Sequence, residues 1–236
     1  MAAHKDPVFE TWWPLPRSME LVRAPIERVA EFLSSELKRI VPAETCESEW
    51  RSFDSIDAVF RSIEVMTNFP TVFLALPTKT EWTPVWSNSF GCDGYDSLCH
   101  NLSRLHGVDT IHWSSSDIDG PMQAGTSFAF RRGGEDGKRA RSVQVSRNDT
   151  VWTFDQSGDP LPGEPVAGYA NRIKRKRLNE RVLMEFFATL GAEPWRESFY
   201  DLPNAKCFRL WRPSFPSTIT TRPASQVVTG VRSSVE

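Results

Sequence analysis

The groups best suited to chemistry are concentrated between Trp86 and Trp113, which hold two of the four cysteines and three of the four histidines. Cys92 follows the loop Asn88-Ser89-Phe90-Gly91 and opens a predicted helix at Cys92 or Asp93. A thiol there is stabilised as thiolate by the unpaired N–H groups of the first turn. His112 falls on the strand expected after that helix, within reach of acting as the base that a nucleophilic thiol needs. Cys92 and His112 are therefore the candidate catalytic pair, and Asn88, Tyr95, Asp96 and Trp113 are the polar or amphipathic groups that could line a binding pocket beside them.

A cysteine opening a helix with a histidine on a following sheet strand is similar to the arrangement of papain-like hydrolases, and implies acyl-transfer chemistry. The likeness covers about a tenth of the chain, by the spacing of this one motif. None of that family's local signatures is present, and Asp93 and Asp96 beside the thiol oppose a thiolate. The competing structural reading makes Asp93 a helix cap, Cys99 a small core residue and His106 a helix C-terminal residue favoured by the dipole. Cys92, Cys99, His106 and His112 are spaced by 7, 7 and 6 residues, which matches no common zinc pattern, so neither a metal nor a cofactor is assigned.

These residues need elements to hold them. Pro25 begins a helix with Ile26, Val29, Leu33, Leu37 and Ile40 on one stripe, ended by Pro42. A short helix is expected over 55–63, capped by Asp54 or Ser55. Thr71–Leu76 reads as a buried strand. Trp82–Trp86 reads as a second, held to a sheet edge by Pro84. The segments 126–132, 140–145 and 151–154, joined by Gly133-Gly134-Glu135-Asp136-Gly137 and Arg147-Asn148-Asp149, form an antiparallel meander. A long helix is expected from Val166 or Tyr169 to Leu190, and a last strand over 206–211. The fold class is α+β: N-terminal helices, a mainly antiparallel central sheet with the meander, and the long C-terminal helix packed on it. Residues 1–23 read as an irregular arm, 24–212 as one domain, and 213–236 as a disordered tail.

A second candidate surface is the run 172–181, with six basic residues in ten. Arg172, Arg175 and Lys176 are its candidate binding residues, and Arg131, Arg132, Lys138, Arg139, Arg141 and Arg147 add charge on the meander. Such a patch suits phosphate, nucleic acid or an acidic protein surface. The sequence pI of about 6.1 and the lack of a nucleic-acid motif disfavour nucleic acid. Residues 1–120 carry 10 Lys/Arg against 18 Asp/Glu, and residues 121–236 carry 18 against 12. That polarity, with nine tryptophans, favours recognition of another protein. No apolar run reaches the roughly 18 residues of a membrane span, no signal core opens the chain, and four irregularly spaced cysteines suit reduced thiols in the cytoplasm.

The reading that results is a soluble intracellular protein acting by protein–protein recognition without catalysis, like many bacterial immunity or accessory proteins in gross plan. A cysteine-dependent hydrolase using Cys92 and His112 is the alternative. Nucleic-acid or phosphate binding through 172–181 is a further one.

Overall fold

The computed structural model describes residues 5–12, 18–40, 46–63, 65–67, 71–89, 95–116, 124–134, 136–148, 150–211 and 221–223. Helices are α1 (Pro7–Thr11), α2 (Ile26–Ile40), α3 (Ile56–Arg61), α4 (Tyr95–His106) and α5 (Glu180–Thr189). Strands are β1 (Ser18–Val22), β2 (Glu47–Arg51), β3 (Val65–Thr67), β4 (Val72–Ala75), β5 (Thr83–Ser87), β6 (Thr110–Ser116), β7 (Gly125–Arg131), β8 (Arg139–Asn148), β9 (Val151–Gly158), β10 (Cys207–Trp211) and β11 (Thr221–Pro223). Nine of them form one sheet in the order β2-β10-β4-β5-β1-β6-β7-β8-β9, and every neighbouring pair is antiparallel. β3 and β11 form a separate two-stranded ribbon. The fold is mixed α+β.

Alternation decides what each face of the sheet meets. Met19, Leu21, Leu74, Trp86, Ile111, Trp113, Phe128, Phe130, Val143 and Val145 project to one side and form the larger core with α1, α3 and α5. Val22, Phe73, Ala75, Val85, Phe208 and Leu210 project to the other, under α2 and α4. Within the first 23 residues, α1 packs Phe9 into the larger core. β1 lies at the centre of the sheet, because Met19 and Leu21 supply a short apolar alternation that only a buried strand can use. Trp12 packs on the body, as its apolar bulk requires: its indole stacks on Phe60 and donates to Asp57.

Pro84 does not hold β5 at an edge, since β5 is paired on both sides by β4 and β1. The Pro84 carbonyl accepts from Leu76 N, so its nitrogen also faces β4, past the last paired residue Ala75, where no ladder donor is needed.

The long C-terminal helix is replaced by two 3-10 turns, Val166–Ala170 and Lys174–Lys176, followed by the ten-residue α5. Two asparagines divide the segment. Asn171 Oδ1 accepts from Ile173 N, and Asn179 Oδ1 accepts from Val182 N as the cap of α5. A continuous helix would also stack Arg172 over Lys176 and Arg177 over Arg181, like charges at i, i+4. Short polar side chains that bond the local backbone, together with that repulsion, defeat an apolar stripe that continues only beyond Leu178.

Candidate functional site

Among the described residues, α2 and α4 cover one face of the sheet only as far as β6 and the Arg131 end of β7. Beyond them no described element covers the same face of β7, β8 and β9, and the register fixes which side chains it presents. Three rows run across the strands: Gly125–Ser146–Thr153, Ser114–Ser127–Gln144–Asp155 and His112–Ala129–Ser142–Ser157. All are small or polar, while the opposite face of these strands carries Trp113, Phe128, Val143 and Phe154. Residues of the last two rows, with Arg139 at one end, line a groove of about 340 Å³. Hydroxyl pairs, Ser142 with Ser157 at 2.8 Å and Ser146 with Thr153 at 2.9 Å, lie between neighbouring strands on it. Such a surface offers many hydrogen-bond donors and acceptors, which suits an occupant that brings polar groups.

The groove is anchored by a polar seam beneath α4. Glu20 is fully buried on β1, directly opposite His112 on β6. Residues facing each other in this way have Cβ atoms about 5 Å apart. Thr110 and Arg131 are likewise opposed and buried. From α4, Ser103 bonds to Thr110 and to Val108 O, while Thr110 donates to Cys99 O. His100 Nδ1 meets Gly137 O at 2.9 Å and ties the helix to the β7–β8 hairpin. Gly137 has φ +65, and a Cβ there would lie 2.4 Å from His100 O, so the turn needs glycine at this position.

Of the three described thiols, Cys99 and Cys207 are buried and resist ionisation. Burial pushes Cys99 well above the usual thiol range, Glu20 adds to it, and Thr110 and Arg131 only partly oppose it. Burial pushes Cys207 up to about 12. Tyr200, whose hydroxyl donates to Pro194 O, is raised by burial, and Tyr169 by burial and then by the charge of Glu164. All four folded values stand above the unfolded ones, roughly 8.5 for Cys and 10 for Tyr. Their stabilising effect is therefore complete below the unfolded values and is lost as pH rises through the folded ones. The thermal midpoint is expected to fall progressively from about pH 8.5 towards pH 12. A midpoint that stays flat across that range would contradict it.

The residues singled out in the sequence are dispersed. His112 is half-buried, with Nδ1 turned into the protein, and it lines the groove. Cys92 lies outside the described residues, as do the side chains of Tyr95 and Asp96. Asn88 locks the end of β5 to β4: its Oδ1 accepts from Thr71 N and Val72 N, and its Nδ2 donates to Thr71. Trp113 is one residue from His112 and so points to the opposite face, where it packs edge-on against Trp195 and Phe187. His106 ends α4, stacked on Phe32 and 3.7 Å from Glu36. Arg172, Arg175 and Lys176 are exposed beside β9.

Two of the meander's arginines are withdrawn from its surface, to opposite sides of the sheet. Arg131 is buried on the α4 side, and Arg141 is buried on the other side in an ion pair with Glu164. A second recess of about 500 Å³ lies at the start of α2, but Arg23 within it is already held by Glu81 at 2.9 Å and Asp109 at 3.4 Å.

Glu20 and the Ser/Gln rows did not emerge from the sequence, and Arg131 emerged only as surface charge on the meander, whereas it is buried. Their signal was the polar half of each strand's alternation, which looks like any solvated face until it is known which strands the helices leave bare. Among the described residues no group of three or more His, Cys, Asp or Glu is placed to hold a metal, and no helix is long and apolar enough to cross a membrane. These features define a class, a mixed α+β protein with a nine-stranded antiparallel sheet half-covered on one face. No protein-family model, curated protein or solved structure matches the chain.

Proposed function

We propose that this protein acts by binding another protein, without catalysis, as an accessory or immunity-type factor in the cytoplasm, and that its contact region is the β7–β9 end of the sheet. One observation carries the reading. Among the described residues, the helices stop short of that end and leave a groove rich in hydroxyl and amide groups in register across four strands. The inert state of Cys99 and Cys207 supports a role without thiol chemistry for these two residues.

The test fills the groove. Ser142→Tyr with Gln144→Arg, at positions half-buried and exposed respectively, is expected to abolish retention of the protein's partner in pull-down while leaving the thermal midpoint within a few degrees. The same burden placed on exposed Glu31 of α2 should leave retention intact. Equal retention by the groove variant and the parent would overturn the proposal.

The hydrolase reading keeps one supporting observation. His112 lines the groove and is paired opposite Glu20 of the neighbouring strand β1, an arrangement in which a carboxylate can orient an imidazole. It requires Cys92 to react selectively with iodoacetamide below neutral pH.

A further inference from the structure

The two edges of the nine-stranded sheet are built differently. β2, at one edge, has three charges in five residues, Glu47, Glu49 and Arg51, the usual protection against unwanted strand pairing. β9, at the other edge, is eight residues long, has no proline, and carries a single charge, Asp155. Among the described residues its ladder is made with β8 alone. Its outer N–H and C=O groups are thus a template for another strand.

Beside that edge lies unneutralised positive charge. The 3-10 turn Lys174–Lys176 packs on β9, on the face that carries Phe154, and Arg177 holds it there with its guanidinium 5.0 Å from the Phe154 ring. Arg172, Lys174, Arg175 and Lys176 are all exposed, with no carboxylate at ion-pair distance among the described residues. The opposite face of β9 presents Thr153, Asp155 and Ser157 to the groove.

Resting on the protein-binding reading above, we propose that the β9 edge takes up an extended acidic segment of a partner protein as a further antiparallel or parallel strand. Main-chain hydrogen bonds supply the docking, and alternate side chains supply the selectivity. Carboxylates at every second position face the 172–176 ridge. The intervening positions face Thr153, Asp155 and Ser157, and must be neutral because Asp155 repels acids there. A second copy of this chain is a poor occupant. Two β9 strands paired about a two-fold axis would set two basic ridges on the same face of the joined sheet.

The test uses the full chain and an eight-residue peptide alternating Glu with Thr, with binding read by fluorescence anisotropy. Arg175→Glu with Lys176→Glu, both exposed and so neutral for folding by circular dichroism, should weaken binding at least tenfold. N-methylation of one alternate set of peptide nitrogens should abolish binding, and of the other set should leave it within a few-fold. Equal binding of a peptide with the same composition but its Glu residues in one block, or indifference to both methylation patterns, would overturn strand addition. A single-stranded oligonucleotide of equal charge that binds tighter than the peptide would overturn the choice of partner. If the peptide fails but groove filling still abolishes partner retention, only the edge proposal falls. If both fail, the binding reading falls with it.

Discussion

Replacing Arg141 by methionine is expected to destabilise the protein by about 3–5 kcal/mol, the largest loss anticipated for any single polar substitution in the sheet. Arg141 projects from β8 into the larger core and is 2% exposed. Its guanidinium donates to both oxygens of Glu164, to Gln156 Oε1 and to the carbonyls of Ser157 and Gly158. Glu164 is buried as well, and it also accepts from the backbone N–H of Leu161. Removing the arginine strands a carboxylate in a medium that cannot solvate it, and frees the loop 159–165 that the pair ties to the sheet. The double variant Arg141→Met with Glu164→Leu removes both charges, and should recover most of the loss. Urea denaturation of the three proteins checks this. A single variant within about 1 kcal/mol of the parent, or a double variant no better than the single, would show that the pair is not the tie the geometry indicates.

Trp113→Ala should cost about 3–5 kcal/mol by loss of transfer energy and by the cavity left behind. The residue is 1% exposed at the centre of the larger core, in edge-on contact with Trp195 at 5.8 Å and Phe187 at 6.2 Å. Its indole N–H has no hydrogen-bond partner among the described residues, so Trp113→Phe sheds an unsatisfied donor along with part of the ring. The phenylalanine variant is therefore expected to lose less than about 1.5 kcal/mol. Chemical denaturation measures both, and partner retention by the Trp113→Phe protein should be unchanged. A Trp113→Phe protein that folds normally but loses its partner would restore Trp113 to the binding surface.

Several features of this protein could be read without its structure because their causes are local. Ser55 caps α3 through Ala58 N, Gly107 ends α4 with φ +66, and Gly137 turns the β7–β8 hairpin with φ +65, each for reasons contained in a few adjacent residues. The apolar stripe of α2 and the alternation of β7, β8 and β9 depend only on the periods of helix and strand. The break between Arg172 and α5 was not read from the sequence: the apolar stripe from Ile173 to Leu190 suggests one long helix and masks the signals of Asn171, Asn179 and the stacked like charges.

Other features depend on contacts between distant segments. Nothing near Glu20 in the chain reveals that it lies opposite His112, or that Cys99 and Arg131 share its surroundings, since the three come from β1, α4 and β7. Clustering of Cys92, Cys99, His100, His106 and His112 in sequence suggested one reactive centre. Strand alternation separates His112 from Trp113, and helix periodicity buries Cys99 while His100 turns to the hairpin. Above all, the strands specify a polar face but not its exposure. That was decided by where α2 and α4 come to rest, over the apolar patch of Val22, Phe73, Val85 and Phe208, because burying that patch is favourable and covering the serine rows of β8 and β9 is not.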